Sequence, residues 1–374
     1  MKITLKNTPE QIELVKAMAS RNRDVAYEAQ TALAEFIGPV LAEVINQAPV
    51  LSNLFTTLQY NADDNPSIPL DLYYDVADED YVQVFSQSRA GGLPTSEVLP
   101  TSSELKIATY SLDSAVSFDR RYAAKSRMDV VAKTMTRVAQ EILAKQNSIS
   151  ANVVMSALAN ASTVQGGANI SHLLSSAVKD KFTLADLNAM MTKSKRIITS
   201  FSGGTPDAAR GKGVTDIMVS PEIVESLRAI AYQPLSAGIQ NASVIAEEAY
   251  SAAGAPSFYG INVIELNEMG LNQKFNTTFA AAATAAGISP AHGEAATPGT
   301  PTSFVEGSDE LVLGIDRSRE SLVRPVAVDA ENGGEFNLIA DDQYSIRQSK
   351  IGYFGSLEEG RIVLDNRALV GVIV

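Results

Sequence analysis

The chain contains no cysteine and no tryptophan, and its two histidines are His172 and His292. Without thiols, disulfides, thiolate zinc sites, iron–sulfur clusters and cysteine nucleophiles are excluded together. Two histidines leave little material for imidazole acid–base chemistry. Cations are scarce as well: 30 Lys+Arg stand against 43 Asp+Glu, a formal charge of −13. A chain this acidic is a poor nonspecific ligand for nucleic acid, because phosphate contact needs clustered cations. No run of about 18 apolar residues occurs, so no transmembrane helix is expected. The opening MKITLKNTPEQIELVKAM is amphipathic and carries acids, unlike the continuous apolar core of a signal peptide. The expected location is therefore the cytoplasm.

What is present is an ordinary globular composition. Of 374 residues, 45% are hydrophobic and 20% charged, which excludes whole-chain disorder. The length allows one large domain or two to three modest ones. Thr8-Pro9-Glu10-Gln11 reads as a helix start, with Thr8 as cap and Pro9 at the first helical position. A second helix is expected over 24–47, kinked at Gly38-Pro39. Both precede any evident core, so the two helices read as an arm whose apolar stripe (Val40, Leu41, Val44, Ile45) awaits a neighbour.

Residues 61–105 change character. Nine acids face one base, Arg89, and lysine is absent. Strand candidates at 70–76 and 81–86, a Gly/Pro-rich tip after Arg89, and period-two alternation over 105–120 read as a long acidic two-stranded excursion. A lone hairpin is marginal in water, so a partner chain is expected to support it. The longest helical signal covers 128–159, with Val131, Met135, Val138 and Ile142 on one stripe.

Further along, a helix opens at Thr183, a strand is expected at 216–219, and Ser220-Pro221 caps a helix over 223–231. Residues 272–304 are rich in Ala, Thr, Gly and Pro and read as an exposed low-complexity insertion. Strands are expected at 311–315, 322–329, 336–340, 344–354 and 361–374, with an acidic Gly-containing turn over 355–360.

No catalytic constellation emerges. The Gly pairs match neither a P-loop nor a dinucleotide fingerprint. Asp78-Glu79-Asp80 alternates faces in an extended segment and reads as a solvated acidic rim rather than a cation site. His172 reads as a cap-region or surface residue, His292 lies in the insertion, and Ser220 is a cap rather than a nucleophile. The run Asp316-Arg317-Ser318-Arg319-Glu320 reads either as a solvated turn or as an ion-pair patch between subunits. Met155, Met190 and Met191 read as core.

Four segments, in order, carry a resemblance. The first is Ser88–Leu99 (SRAGGLPTSEVL), running into 105–125, with its Val116-Ser117-Phe118-Asp119 corner, and into 129–131 at the start of the long helix. The second is Ile217-Met218-Val219-Ser220-Pro221, followed by Leu227-Arg228. The third is Tyr259-Gly260-Ile261-Asn262-Val263-Ile264, and the fourth joins 311–315 and 345–354 to Val363-Leu364-Asp365-Asn366-Arg367-Ala368-Leu369-Val370. Together these resemble the major capsid protein of tailed double-stranded DNA bacteriophages, the Hong Kong 97-type α+β fold. Asn262 stands where that family usually has proline.

The resemblance implies an N-terminal arm (1–60), an extended loop (61–110), a peripheral domain with a spine helix (111–180), an axial domain (181–325) and strands returning to the peripheral domain (326–374). It implies self-assembly into hexamers and pentamers of a closed shell, no cofactor, no metal, no enzymatic role and no membrane partner. A separate scaffolding protein, a portal and a decoration protein are implied partners, with DNA enclosed but not read by sequence. The implied place is the virion capsid, assembled in the host cytoplasm. Some family members weld subunits through a loop lysine and an asparagine. Here no lysine lies between Lys16 and Lys106, so non-covalent contacts are expected. The interface candidates are Asp78, Glu79, Asp80 and Arg89 on the loop, with Arg120, Arg121, Lys125, Arg127, Arg317, Arg319 and Arg347 as opposing or flanking cations. An encapsulin-type nanocompartment shell and a soluble α/β enzyme are the alternatives.

Overall fold

The computed structural model describes residues 8–46, 48, 50–61, 64–69, 104–165, 168–176, 178, 180–197, 213–232, 257–258, 260–288, 303–328, 335–341 and 349–374. Its α-helices are α1 (Pro9–Met18), α2 (Arg23–Asn46), α3 (Arg120–Ala124), α4 (Met128–Ala159), α5 (Leu184–Ile197), α6 (Pro221–Tyr232) and α7 (Lys274–Ala285). The first strands are β1 (Thr56–Asn61), β2 (Ser67–Pro69), β3 (Glu104–Lys106), β4 (Thr109–Asp119), β5 (Ser162–Gln165), β6 (Ala168–Ser171), β7 (Leu173–Ser175) and β8 (Asp216–Val219). The later strands are β9 (Ser257–Phe258), β10 (Ile261–Glu265), β11 (Leu311–Ile315), β12 (Leu322–Val328), β13 (Asn337–Asp341), β14 (Lys350–Gly360), β15 (Ile362–Val363) and β16 (Leu369–Ile373). This mixture is α+β. The chain divides into two compact units. No helix among the described residues is long and apolar enough to cross a membrane.

The first unit comprises Met1–Pro66, Ile107–Ser150 and Val323–Ile362. Thr8 caps α1, its hydroxyl accepting from the Gln11 N–H, and Pro9 holds the first helical position as expected. Pro39 lies inside α2, which runs on to Asn46. Its sheet follows the order β1–β12–β14–β13, with β4 also paired to β14. The β4/β14 ladder is antiparallel over eleven residues, from Asp119 opposite Lys350 to Thr109 opposite Gly360. The acidic turn expected over 355–360 is therefore strand. Gly355 permits this locally: a Cβ there would sit 2.4 Å from Phe336 Cζ, so the ring occupies the missing side chain's place.

One apolar cluster joins Val15 and Met18 of α1, Leu33, Ile37, Leu41 and Ile45 of α2, Val131, Met135, Val138 and Ile142 of α4, and Ile351 and Tyr353 of β14. This corrects the reading of the N-terminal helices as an arm awaiting a neighbour. Leu41 is 0% exposed and Ile45 3%, so these two residues of the stripe are spent on the chain's own core, while Val40 remains exposed. The sequence suggested otherwise because much of the cluster that covers them, in α4, β13 and β14, comes far later in the chain.

The second unit comprises Ser67–Lys106, Ala151–Leu322 and Val363–Val374. Its sheet runs β7–β16–β11–β8–β10–β9. Thus β16 stands between β7 and β11, whereas the sequence reading returns 326–374 to the peripheral domain as a whole. Ser220 caps α6, accepting from the Ile223 N–H at 3.2 Å. Thr183 and Asp186 exchange backbone and side-chain bonds at the start of α5, a reciprocal capping box. The antiparallel β2/β3 pair brackets residues 70–103, which lie outside the described residues together with the strand candidates at 70–76 and 81–86.

The low-complexity reading of 272–304 is corrected in part. Residues 274–285 form α7, burying Phe275, Phe279 and Ala283. Phe304 meets Phe279 edge-on, with ring centroids 4.8 Å apart. Alanine-rich sequence is good helix material, and phenylalanines four apart share one face. Residues 289–302, including His292, lie outside the described residues.

Candidate functional site

Four of the expected interface cations belong to one turn of the first unit. β4 ends at Asp119, whose carboxylate accepts from the Arg121 N–H at 2.9 Å and caps α3. Ala123 is the buried anchor of this short helix. Ser126 adopts a left-handed φ of 54°, and the Arg127 N–H bonds back to the Tyr122 carbonyl at 3.0 Å. The turn so formed leaves Arg121, Tyr122, Lys125 and Arg127 exposed. Arg121 lies 4.0 Å from Asp119 with its side chain 87% exposed. Arg120 faces inward instead. Its Nε and Nη2 donate to the Ala19 carbonyl at 3.2 and 3.0 Å, a cation at the C-terminal end of α1.

Two more candidates share a turn of the second unit. Asp316 is buried, caps the 3₁₀ turn Arg317–Arg319, and accepts from the Ser318 N–H at 3.0 Å. Burial raises its carboxyl pKa, opposed by bonds from Ser318 and by the Arg319 charge. Arg319 is held within the chain: Nη1 lies 3.0 Å from Asp365 and Nε 3.7 Å from Asp316. Arg367 approaches the same Asp365 at 3.0 Å. Within the chain, then, Arg317 is exposed and Arg319 is internal. Asp78, Glu79, Asp80, Arg89 and Arg347 lie outside the described residues.

Sequence reasoning missed a buried charge network in the first unit. Glu359, fully buried, accepts from Arg324 Nε at 2.6 Å and from Arg361 Nη2 at 3.1 Å. Gln146 Nε2 donates at 3.0 Å and the Tyr110 hydroxyl at 2.9 Å. Arg324 also reaches Asn46, Arg361 reaches Ser52, and the Arg361 guanidinium stacks 5.2 Å from the Phe55 ring centre. Burial, then the Glu359 charge, pushes the Tyr110 hydroxyl well above its ordinary range. The signal was available in the alternation of β14. Glu359 has the phase of Ile351, Tyr353 and Leu357, the inward phase.

His172 is a second correction. It is 0% exposed, between β6 and β7, rather than a surface or cap residue. Nε2 lies 2.7 Å from the Thr163 hydroxyl, and Nδ1 lies 3.1 Å from the carbonyls of Asn366 and Leu369. Those carbonyls can only accept, so Nδ1 carries the proton and Nε2 accepts from Thr163. Burial holds the imidazole pKa below its ordinary value. Ser220, 2.6 Å from Glu310, serves as the expected cap. Met155 and Met190 are fully buried, as expected of core.

This arrangement offers exposed charge on rigid turns and buried charge that locks elements together. No protein-family model matches the chain, and no curated protein matches it in sequence. Among solved structures it is similar to the capsid of an empty GTA particle, at TM-score 0.47 and 11% identity, covering 87% of this chain and 90% of that one. It is similar to the encapsulin of the holo-SrpI complex from Synechococcus elongatus PCC 7942, at TM-score 0.44 and 13% identity over 86% and 85% of the two chains. A third likeness is to a chain of Mycobacterium phage Che8, at TM-score 0.42 and 14% identity over 86% and 90%.

Proposed function

We propose that this chain is a structural subunit of a self-assembling closed shell, with no enzymatic role. Within that class, the reading is the major capsid protein of a tailed phage with the Hong Kong 97-type fold. Its hexamers and pentamers enclose double-stranded DNA in the virion. A scaffolding protein, a portal and a decoration protein complete the proposed partners.

The observation that carries the reading is one of order. The segments that resemble the capsid family fall, in sequence, on β4 running through α3 into a 32-residue α4, on β8 with its Ser220-capped α6, on β10, and on β11, β14 and β16. At 1.5 Å per residue the 32-residue α4 is about 48 Å long, nearly three times the length of an ordinary helix of about 11–12 residues, and suits a spine. An acidic chain also suits a container through which DNA must slide without sticking. Without a loop lysine, the shell rests on non-covalent contacts.

Negative-stain microscopy of the purified protein tests this. Closed icosahedral particles are expected, and boiled particles should give one monomer band on a denaturing gel. A discrete monomer at all concentrations refutes the shell. Small particles filled with protein rather than DNA would favour the encapsulin alternative.

A further inference from the structure

Charge along this chain is strongly segregated. From Asp24 to Ser88 there are 11 acids and no lysine or arginine, so this stretch carries −11 of the total −13. From Arg120 to Lys145 the balance reverses, with seven cations against two acids. Within the first unit, α2 of the acidic stretch and the α3 turn of the basic one both reach the surface, and each brings exposed apolar or aromatic side chains with it.

On α2, the buried face is Ala26, Leu33, Ile37, Leu41 and Ile45. The border of that face exposes Val25 at 41%, Phe36 at 56% and Val40 at 38%. At 100° per residue, Val25, Phe36 and Val40 lie within about 60° of one another. Asp24, Glu28 and Glu35 form an exposed row beside them. Among the described residues, neither Glu28 nor Glu35 makes an ion pair within the chain. The α3 turn offers the complement: Tyr122, 47% exposed, among Arg121, Lys125 and Arg127.

An exposed aromatic side chain beside a cluster of acids on one surface, and another beside a cluster of cations on the second, is the composition of an interface with a desolvated centre and a charged rim. The two surfaces differ, so one copy can offer the first while receiving the second from the next, a head-to-tail contact that closes into rings. We infer that copies of this chain associate by docking the Glu28–Glu35–Phe36 face of α2 on one copy against the Arg121–Tyr122–Lys125 turn of the next. This rests on the shell reading and deepens it by naming the contact. The apolar pair supplies adhesion, and the charges supply register and partner choice.

The test uses the full chain. Glu28→Lys with Glu35→Lys, and separately Arg121→Glu with Lys125→Glu, should each lower particle yield at least tenfold while circular dichroism stays unchanged. Both reversals in one chain should restore particles, because the signs are then exchanged across the same contact. A cysteine-free background provides a second measurement that needs no charge change. Particles of the Phe36→Cys/Tyr122→Cys chain should give a ladder of linked subunits on oxidation, and neither single cysteine should. Normal yield from either reversal, or failure of the combined chain to recover, overturns the inference. So does recovery of the Arg121→Glu/Lys125→Glu chain by reversal at Asp78, Glu79 and Asp80 instead, which would give those cations to the acidic loop. Normal particles with lost DNA retention would give them to nucleic acid, also against the inference. A wild-type chain that never assembles overturns the shell reading itself.

Discussion

Removing the carboxylate of Glu359 should be among the most damaging single changes in the first unit. In Glu359→Leu, the guanidiniums of Arg324 and Arg361 stay buried, at 3% and 7% exposure, and lose their shared counter-ion. Among the described residues, Arg324 keeps its contact to Asn46 at 3.2 Å, and Arg361 its contacts to Ser52 at 3.1 and 2.8 Å and its stacking on the Phe55 ring. Breaking a buried pair by deleting one partner costs about 3–5 kcal/mol, because an uncompensated charge remains. At about 2–4 °C per kcal/mol for a domain of this size, the melting transition should fall by roughly 6–20 °C. Scanning calorimetry of the unassembled subunit reads this directly. The triple change Arg324→Met, Arg361→Met, Glu359→Leu removes the stranded charges and should recover at least half of the loss, since apolar replacement of a buried ion group is often neutral. Full recovery is not expected, because Gln146, Tyr110 and Ser52 lose partners at about 1–3 kcal/mol for each buried group left unsatisfied. A single variant within about 1 kcal/mol of wild type, or a triple variant less stable than the single one, refutes the reasoning.

Three further outcomes are expected. Deleting residues 1–46 should abolish folding of the first unit rather than only assembly, because α1 and α2 supply much of its core; a soluble truncated chain with a cooperative melt would contradict this. Phe279→Ala should destabilise by about 3–5 kcal/mol in urea titration, as for a fully buried aromatic, whereas an exposed insertion would lose nothing. His172 should make the chain acid-sensitive. Its folded pKa is depressed by burial, so its contribution is complete above the unfolded value of about 6.5 and is lost as pH falls below it. Between pH 7.5 and 5.5 this term amounts to at most about 1.4 kcal/mol, and His172→Gln, which can keep a donor and an acceptor, should show a smaller pH-dependent loss than wild type.

Local signals in the sequence were read well wherever one residue's chemistry decides the outcome. Thr8-Pro9, Thr183-Leu-Ala-Asp186 and Ser220-Pro221 mark helix starts because a side-chain oxygen satisfies orphan N–H groups, and the structure places helices after all three. The 128–159 helix was legible because its apolar period persists through most of its length. What escaped depends on partners distant in sequence. The buried face of α2 shares one cluster with α1 but also with residues of α4, β13 and β14 that come far later in the chain, so composition before residue 50 could not reveal how fully it was covered. Residues 355–360 look like a turn because two glycines flank acids, yet Phe336 fills one glycine's space and two arginines neutralise Glu359.

The candidate interface shows the same division. Arginines that look equivalent in sequence take different roles according to a neighbour's geometry. Arg120 caps α1 while Arg121, one residue on, faces solvent, because successive residues of a helix point about 100° apart. Arg319 meets Asp365, 46 positions later, while Arg317 in the same turn remains exposed. Internal partners remove a cation from the surface available to other chains. Of the described interface candidates the cations left outward are Arg121, Lys125, Arg127 and Arg317, and only these can serve a contact between copies. Since single exposed pairs contribute only about 0–1 kcal/mol, such a contact gains strength only by repetition around a closed assembly and by the apolar residues at its centre. That is why Phe36 and Tyr122 belong in the test alongside the charges.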